Sequence, residues 1–179
     1  CSNRGIESKA GRCIIVIVKK EIEPLRLGDL EVKLPLIQGG MGVKVSTAEL
    51  AAAVAECGAA GTIAGVGLGF GNPLNDEDYY RASREALKEE VKKARALTKG
   101  VIGINILVAL KNYEDLARTA AAEKIDYIAS GAGLPLKLPE LAEGSPTKLL
   151  PIVSSAKAAS LLIRSWKKRY DRVPDGLIV

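Results

Sequence analysis

Glycine, amide and hydroxyl residues follow four apolar segments of the chain, and these residue types suit the binding of a flat polar ligand. The first group is Gln38-Gly-Gly-Met-Gly42, whose paired glycines let the backbone approach a ligand that a Cβ atom would hold away. Asn105 lies between apolar neighbours, and a buried amide without hydrogen-bond partners costs about 1 to 3 kcal/mol. Ser130-Gly-Ala-Gly133 and Ser154-Ser155 complete the set. We expect these groups to meet at one end of the molecule.

Each group also has a purely structural alternative. The Gly39-Gly40 pair is compatible with an ordinary tight turn. Asn105 either ties down a neighbouring loop or presents its amide to a polar ligand. Ser154-Ser155 either caps the following helix or contacts an anion or a ring at the positive end of that helix, and the pair has one serine for each role.

A further glycine-rich segment does not match a dinucleotide-binding motif. In Gly65-Val-Gly-Leu-Gly-Phe-Gly71 the glycines stand at every second position, whereas that motif is G-x-G-x-x-G opening directly into a helix. The polar residues 72–78 follow. We therefore expect a mobile loop over the site.

Composition excludes several classes of chemistry. The chain has no histidine, which removes Ser-His-Asp and Cys-His catalysis and histidine metal sites, so we expect no metal. Its 179 residues fit one domain of about 150 residues better than two. A net charge of +5 is modest, and it indicates no nucleic-acid partner.

The cysteines and the apolar segments indicate a cytoplasmic protein without a membrane partner. Cys1, Cys13 and Cys57 form no CxxC pair, and their odd number prevents a complete disulfide framework. We expect Cys57 to be a buried packing residue. The apolar run at residues 13–18 is shorter than the roughly 20 residues needed to span a bilayer.

After residue 34, short apolar runs alternate with segments of helical period, which is typical of an α/β chain. The apolar runs lack polar alternation and so favour parallel strands buried on both faces. The predicted strands cover residues 34–38, 60–64, 101–107, 125–129, 148–153 and 175–179. The predicted helices lie near residues 47–57, 81–98, 112–123, 139–143 and 155–169.

The segments before residue 34 predict a separate antiparallel element. Leu25–Leu27 and Leu30–Leu34 alternate on either side of Gly28-Asp29, which is typical of a β-hairpin that caps one end of the domain. Residues 1–20 differ in composition from the rest, with a polar, glycine-containing start followed by a β-branched run. They are interpreted as a leader or an extra strand.

Two architectures remain open from length alone. The strand starts are spaced by about 28 residues, so eight units of a (β/α)8 barrel would need about 225 residues. A doubly wound sheet needs only five or six strands and fits the length better.

Four segments, taken in order, resemble the nitronate monooxygenase family, formerly called 2-nitropropane dioxygenases. They are Leu34-Pro-Leu-Ile-Gln-Gly-Gly-Met-Gly42, Gly103-Ile-Asn105, Ser130-Gly-Ala-Gly133 and Pro151-Ile-Val-Ser-Ser155. The family is similar to flavin-dependent enoyl-acyl carrier protein reductase, and both are FMN-binding TIM (β/α)8 barrels. The resemblance therefore implies a barrel, here with about the first six βα units and the N-terminal hairpin. Residues 21–179 would form this incomplete FMN-binding domain.

The resemblance also implies roles for individual residues. Gly39, Gly40, Met41, Asn105 and Ser154 would bind FMN. A second set, at the end of the fourth predicted strand, would border the substrate pocket: Ser130, Gly131 and Ala132.

The implied activity is that of a flavoprotein oxidoreductase that oxidises an alkyl nitronate or nitroalkane with O2. The family's catalytic histidine follows the sixth strand, where this sequence ends, so we assign no catalytic residue. We expect the remaining strands on a longer gene product or on another chain, or a homo-oligomer. Enoyl reduction and a non-catalytic ligand-binding or assembly fragment are the alternatives.

Overall fold

The computed structural model describes residues 23–70 and 76–179. The leader at residues 1–20 and most of the predicted loop after Phe70 lie outside the described residues. The described chain opens with the predicted hairpin, in which β1 (Leu25–Leu27) pairs antiparallel with β2 (Leu30–Val32). Gly28 forms the turn with φ +62°, a left-handed conformation that favours glycine.

A parallel sheet forms the centre of the molecule. It contains β3 (Gly61–Ala64), β4 (Ile102–Leu107), β5 (Tyr127–Gly131) and β6 (Lys148–Pro151), in the order β3-β4-β5-β6. Isolated parallel bridges extend this sheet at both edges, from Ile37 to Ala60 and from Ile152 to Ile178. Spatial order therefore follows chain order throughout, as in the wall of a barrel, whereas a doubly wound sheet reverses direction at a switch point.

The first and last predicted strands are shorter than expected. Residues 34–38 pair regularly only beside Ala60, where the amide of Gln38 donates to Ala60 O at 3.0 Å and the amide of Ala60 donates to Leu36 O at 2.9 Å. Further back the ladder is irregular, because the Leu36 amide donates to Leu34 O at 2.6 Å and the Leu34 amide donates to Gly58 O at 2.8 Å. At the other edge, Pro151 removes the donor that β6 would direct toward residues 175–179. The remaining pairing consists of separate hydrogen bonds: the Asp175 amide donates to Leu149 O and the Ile178 amide to Pro151 O, each at 3.1 Å, and the Val153 amide donates to Ile178 O at 2.9 Å.

The helices follow the strands as predicted, with small differences in their bounds. They are α1 (Ala48–Glu56), α2 (Asp76–Leu97), α3 (Tyr113–Ala122), α4 (Leu138–Leu141) and α5 (Ala156–Tyr170). Helix α2 begins earlier than expected and takes up residues 76–78, which were predicted as loop. None of the helices in the described ranges is long and apolar enough to cross a lipid bilayer.

Cys57 corrects one prediction. The residue caps the C-terminus of α1 and is exposed, so it is not a packing residue. The capping position turns the side chain away from the apolar stripe of the helix, which alanines at 48, 51, 52 and 55 supply.

Two apolar layers lie on opposite faces of the sheet. The outer layer joins the sheet to the helices through residues such as Ile63, Ile104 and Ile128, and it includes the fully buried Trp166 of α5. The inner layer is smaller and brings the hairpin against the concave face of the sheet. Its buried members are Leu27, Val32, Ala60, Tyr127, Ala129 and Leu150.

The hairpin covers the amino ends of the strands. An ion pair joins Asp29 in its turn to Lys148, the first residue of β6. A Cβ atom on Gly28 would lie 2.9 Å from Asp175 Oδ1. The predicted cap is therefore at the amino end, which leaves the carboxyl ends of the strands for a site.

Candidate functional site

The loop after the first strand position, residues 38–46, is held by one buried serine. The Ser46 hydroxyl accepts hydrogen bonds from Gln38 Nε2 and from the Met41 amide, each at 2.9 Å. It donates to Gly39 O at 3.4 Å. The backbone of Ser46 is fixed as well, since its amide donates to Met41 O and its carbonyl accepts from the Ala64 amide, both at 2.9 Å. These bonds place the two glycines and Met41 beside the end of β3.

Asn105 lies directly against this loop. A Cβ atom on Gly40 would come within 2.7 Å of Asn105 Cβ, so only glycine allows this approach. Asn105 pairs with Ala129 across the sheet, and Ala129 belongs to the inner layer, so the amide is on the concave face. Its Oδ1 atom is buried and has no hydrogen-bond partner among residues 23–70 and 76–179. An unsatisfied buried acceptor of this kind requires an explanation, and a ligand donor supplies one.

The loop after β3 packs beside the first loop. A Cβ atom on Gly42 would lie 1.9 Å from Val66 Cγ1, and one on Gly67 would lie 2.5 Å from Val43 Cγ1. Lys44 Nζ also donates to Phe70 O at 3.2 Å. The two glycine-rich segments therefore form one rim at the carboxyl end of the sheet.

Below this rim, hydrogen bonds between side chains of different strands run across the concave face of the sheet. The Tyr127 hydroxyl lies 2.5 Å from Thr62 Oγ1 and donates to Gly61 O at 3.1 Å. The Thr62 hydroxyl donates in turn to Gln38 O. The Tyr127 ring covers Gly103, where an added Cβ atom would lie 2.2 Å from the ring. Burial raises the pKa of the Tyr127 phenol above its ordinary value, so the ring stays neutral and acts as a floor.

Ser130 lies on the other face of the sheet. Its hydroxyl is fully buried and donates to the Tyr113 hydroxyl of α3 at 3.1 Å. Burial raises the pKa of Tyr113 to about 12. The side chain of Ser130 therefore belongs to the contact between sheet and helix, and only the backbone at this position faces the strand end.

The two serines after β6 differ in their surroundings. Ser155 is the N-cap of α5, and its Oγ accepts from the Ala158 amide at 3.2 Å. Ser154 lines a cavity of about 550 Å³ at the carboxyl ends of β5 and β6. The other lining residues are Ala132, Gly133, Leu134, Ile152, Val153, Ala158 and Val179.

The structure thus places the predicted site residues in two groups at the carboxyl end of the sheet. Gly39, Gly40, Met41 and Asn105 form one group, and Ser154 and Ala132 line the cavity of the other. Gly131 lies between them in β5, where an added Cβ atom would come within 2.9 Å of Ile152 Cβ.

Three residues near the site were missed from the sequence: Ser46, Thr62 and Tyr127. Each has a polar atom on the concave side of the sheet or its rim. For Thr62 and Tyr127 the available signal was a polar group inside a largely apolar strand, which is the kind of signal that singled out Asn105.

Comparisons with known proteins add a family and a set of solved structures. A family model described as nitronate monooxygenase matches residues 24–135. No curated protein matches the chain significantly.

Solved structures resemble the chain over about three quarters of its length. FabK from Thermotoga maritima is 30% identical with a TM-score of 0.58, and the match covers 73% of this chain and 37% of FabK. Nitroalkane oxidase from Streptomyces ansochromogenes is 18% identical with a TM-score of 0.59, covering 74% of this chain and 44% of that one. The second likeness shows the fold alone. The chain spans less than half the length of either structure.

Proposed function

Because the chain belongs to the nitronate monooxygenase family, whose model matches residues 24–135, we propose that it is the flavin-binding part of an FMN-dependent oxidoreductase. In this proposal residues 21–179 act as one unit, and the site lies where the strands end. The proposed substrate is a small alkyl nitronate or nitroalkane, oxidised with O2.

The unsatisfied side-chain oxygen of Asn105 is the observation that carries the proposal. It is a buried acceptor on the concave face, and the backbone of Gly40 lies against it. An isoalloxazine ring offers a donor N–H at its edge and a flat face that glycine backbone can approach. The residues present therefore fit the cofactor by donor type and by shape.

The chain's own residues would hold and orient the cofactor. Asn105 Oδ1 would accept from the ring, while Gly39 and Gly40 would let the ring approach the backbone. Met41 is 48% exposed and would cover the ring with a polarizable side chain. Ser154 would contact the ring from the end of β6, and Gly131, Ala132 and the backbone of Ser130 would border the substrate.

The bound FMN would supply the redox chemistry, accepting electrons from the substrate and passing them to O2. The chain's contribution is orientation and enclosure: Tyr127 and Thr62 close the concave face below the rim by their mutual hydrogen bond. A neutral Tyr127 would add no charge to this face of the site.

Titration of FMN fluorescence with the purified full chain tests the cofactor assignment. We expect saturable quenching and a bound flavin spectrum. A folded chain that stays colourless and leaves FMN fluorescence unchanged would overturn the assignment.

Oxygen consumption tests the reaction. With the loaded protein we expect O2 uptake that depends on an added alkyl nitronate, and free FMN serves as the control. Uptake equal to the control would exclude nitronate oxidation.

Enoyl reduction is a second candidate, favoured by the 30% identity to FabK over 73% of this chain. FabK-type enzymes reduce enoyl thioesters, so the loaded protein would oxidise a reduced pyridine nucleotide when an enoyl thioester is added. That outcome without nitronate-dependent O2 uptake would favour this second candidate.

A further inference from the structure

We infer that Ser46 is a positioning residue that holds the backbone from Gly39 to Met41 in the shape that receives the ligand. The inference rests on the proposed flavin site for the identity of that ligand. Ser46 is not among the residues that the motif resemblance assigns to the ligand.

The Ser46 hydroxyl uses its full hydrogen-bonding capacity on this loop. It accepts from Gln38 Nε2 and the Met41 amide at 2.9 Å each, and it donates to Gly39 O at 3.4 Å. The residue is 1% exposed, so water does not replace these partners.

Ser46 also connects the loop to the rigid sheet. Its carbonyl accepts from the amide of Ala64, the last residue of β3, at 2.9 Å. Gln38 Nε2 reaches Thr62 O of the same strand at 3.3 Å. The Ser46 hydroxyl therefore links the backbone at Gly39 and Met41 directly to groups that are anchored on β3.

Within this loop, Gly39 and Met41 have little packing of their own. No atom lies within 4 Å of an added Cβ on Gly39, and glycine loses more conformational freedom on ordering than any other residue. The Met41 side chain is half exposed. Without the Ser46 hydroxyl, the Met41 amide and Gln38 Nε2 both lose a partner, so the glycine backbone gains alternative conformations.

The test compares Ser46→Ala with Ser46→Thr, which keeps the hydroxyl. The matched control is Ser145→Ala, because Ser145 Oγ also has several partners: it donates to Ala121 O at 2.8 Å and lies 2.8 Å from Thr147 Oγ1. Ser145 precedes β6 and so lies at the amino end of the sheet, away from the proposed site. Two readouts are used: FMN affinity by fluorescence titration, and hydrogen exchange of the Met41 amide in the chain without flavin.

For Ser46→Ala we expect FMN affinity about five- to tenfold weaker and faster exchange at Met41. Ser46→Thr should keep both values near wild type, and Ser145→Ala should change neither. Unchanged exchange at Met41 in Ser46→Ala overturns the inference, as does equal loss of FMN affinity in Ser145→Ala. If the wild-type chain binds no FMN, the proposed function fails, while the exchange comparison still upholds or overturns anchoring by Ser46.

Discussion

The side-chain oxygen of Asn105 destabilises the folded chain and at the same time offers a hydrogen-bond acceptor to a ligand. Its Oδ1 atom is buried without a partner in the described part of the chain. Asn105→Leu replaces the amide with an apolar group of similar size, so we expect the free energy of unfolding of the flavin-free chain to rise by about 1 kcal/mol. FMN affinity should fall about tenfold because the acceptor is lost.

Urea unfolding and FMN titration of the same preparation check the two effects. A variant that is more stable and binds FMN more weakly would identify Asn105 as an acceptor for the ligand. A variant that is destabilised and binds FMN normally would instead show that Asn105 is a structural residue.

Tyr113 gives the chain a specific sensitivity to high pH. Its pKa is about 12 in the folded chain, and a tyrosine in the unfolded chain ionises near 10. Below pH 10 both forms hold the proton, so pH has no effect through this group. Between about pH 10 and 12 only the unfolded form loses it, and the free energy of unfolding falls by about 2 to 3 kcal/mol.

Urea unfolding between pH 9 and 11.5 measures this slope. We expect Tyr113→Phe to have a smaller slope of unfolding free energy against pH, because the proton that Tyr113 releases on unfolding no longer contributes. Ser130→Ala keeps the phenol and serves as the control, because removing a hydrogen bond that lowers the pKa leaves that pKa raised. Equal slopes in wild type and Tyr113→Phe would contradict the assignment.

Sequence reasoning at the residue scale singles out a residue only where its environment is distinctive. Asn105 stood out because its neighbours are apolar. Ser130 was assigned to the pocket by its position at a strand end, but its side chain faces α3. Successive residues of a strand point to opposite faces, and in a strand buried on both faces nothing in the residue types shows which face is concave.

At the scale of elements, the two adjacent serines after β6 allow the stability of α5 and the binding of FMN to be tested by separate substitutions. Ser155→Ala removes the cap of α5, and we expect the free energy of unfolding to fall by about 1 kcal/mol with FMN affinity unchanged. Ser154→Ala should leave stability unchanged and weaken FMN binding. Thermal unfolding and FMN titration of the two variants check this, and a reversed pattern would exchange the two roles.

The boundaries of elements were predicted best in the middle of the sheet. Strands β3 to β6 are apolar runs with a neighbour on each side, so burial and pairing agree there. The predicted outer strands, residues 34–38 and 175–179, have one neighbour each in the described structure and contain or face a proline. Apolar composition alone does not show that the pairing of these outer strands is interrupted.

For the whole molecule, length alone favoured a doubly wound sheet, and the observed strand order favours a barrel. Sequence spacing is the same in both architectures, because each repeats a strand and a helix. A barrel and a doubly wound sheet differ in which neighbour each strand pairs with, and the periodicity of the sequence does not contain that information. The family resemblance supplied it before the structure did.

The hairpin makes a measurable contribution to the whole molecule. Val32 is fully buried against the inner layer of the sheet, so Val32→Ala should lower the free energy of unfolding by about 1.5 to 3 kcal/mol. Val173→Ala is the control, since Val173 is 53% exposed and should change stability by less than about 0.5 kcal/mol. Urea unfolding of both variants decides whether the hairpin is part of the cooperative unit. Equal values would make it a separate appendage.

The sequential strand order also bears on how the chain emerges during synthesis. Each strand from β4 to β6 pairs with the strand that precedes it in the sequence. The sheet can therefore be extended during synthesis without any segment that has not yet been translated. The hairpin is the exception, because Asp29 pairs with Lys148 and must wait for more than a hundred later residues. The hairpin is translated before the sheet and is thus among the last elements of the described chain to form its native contacts.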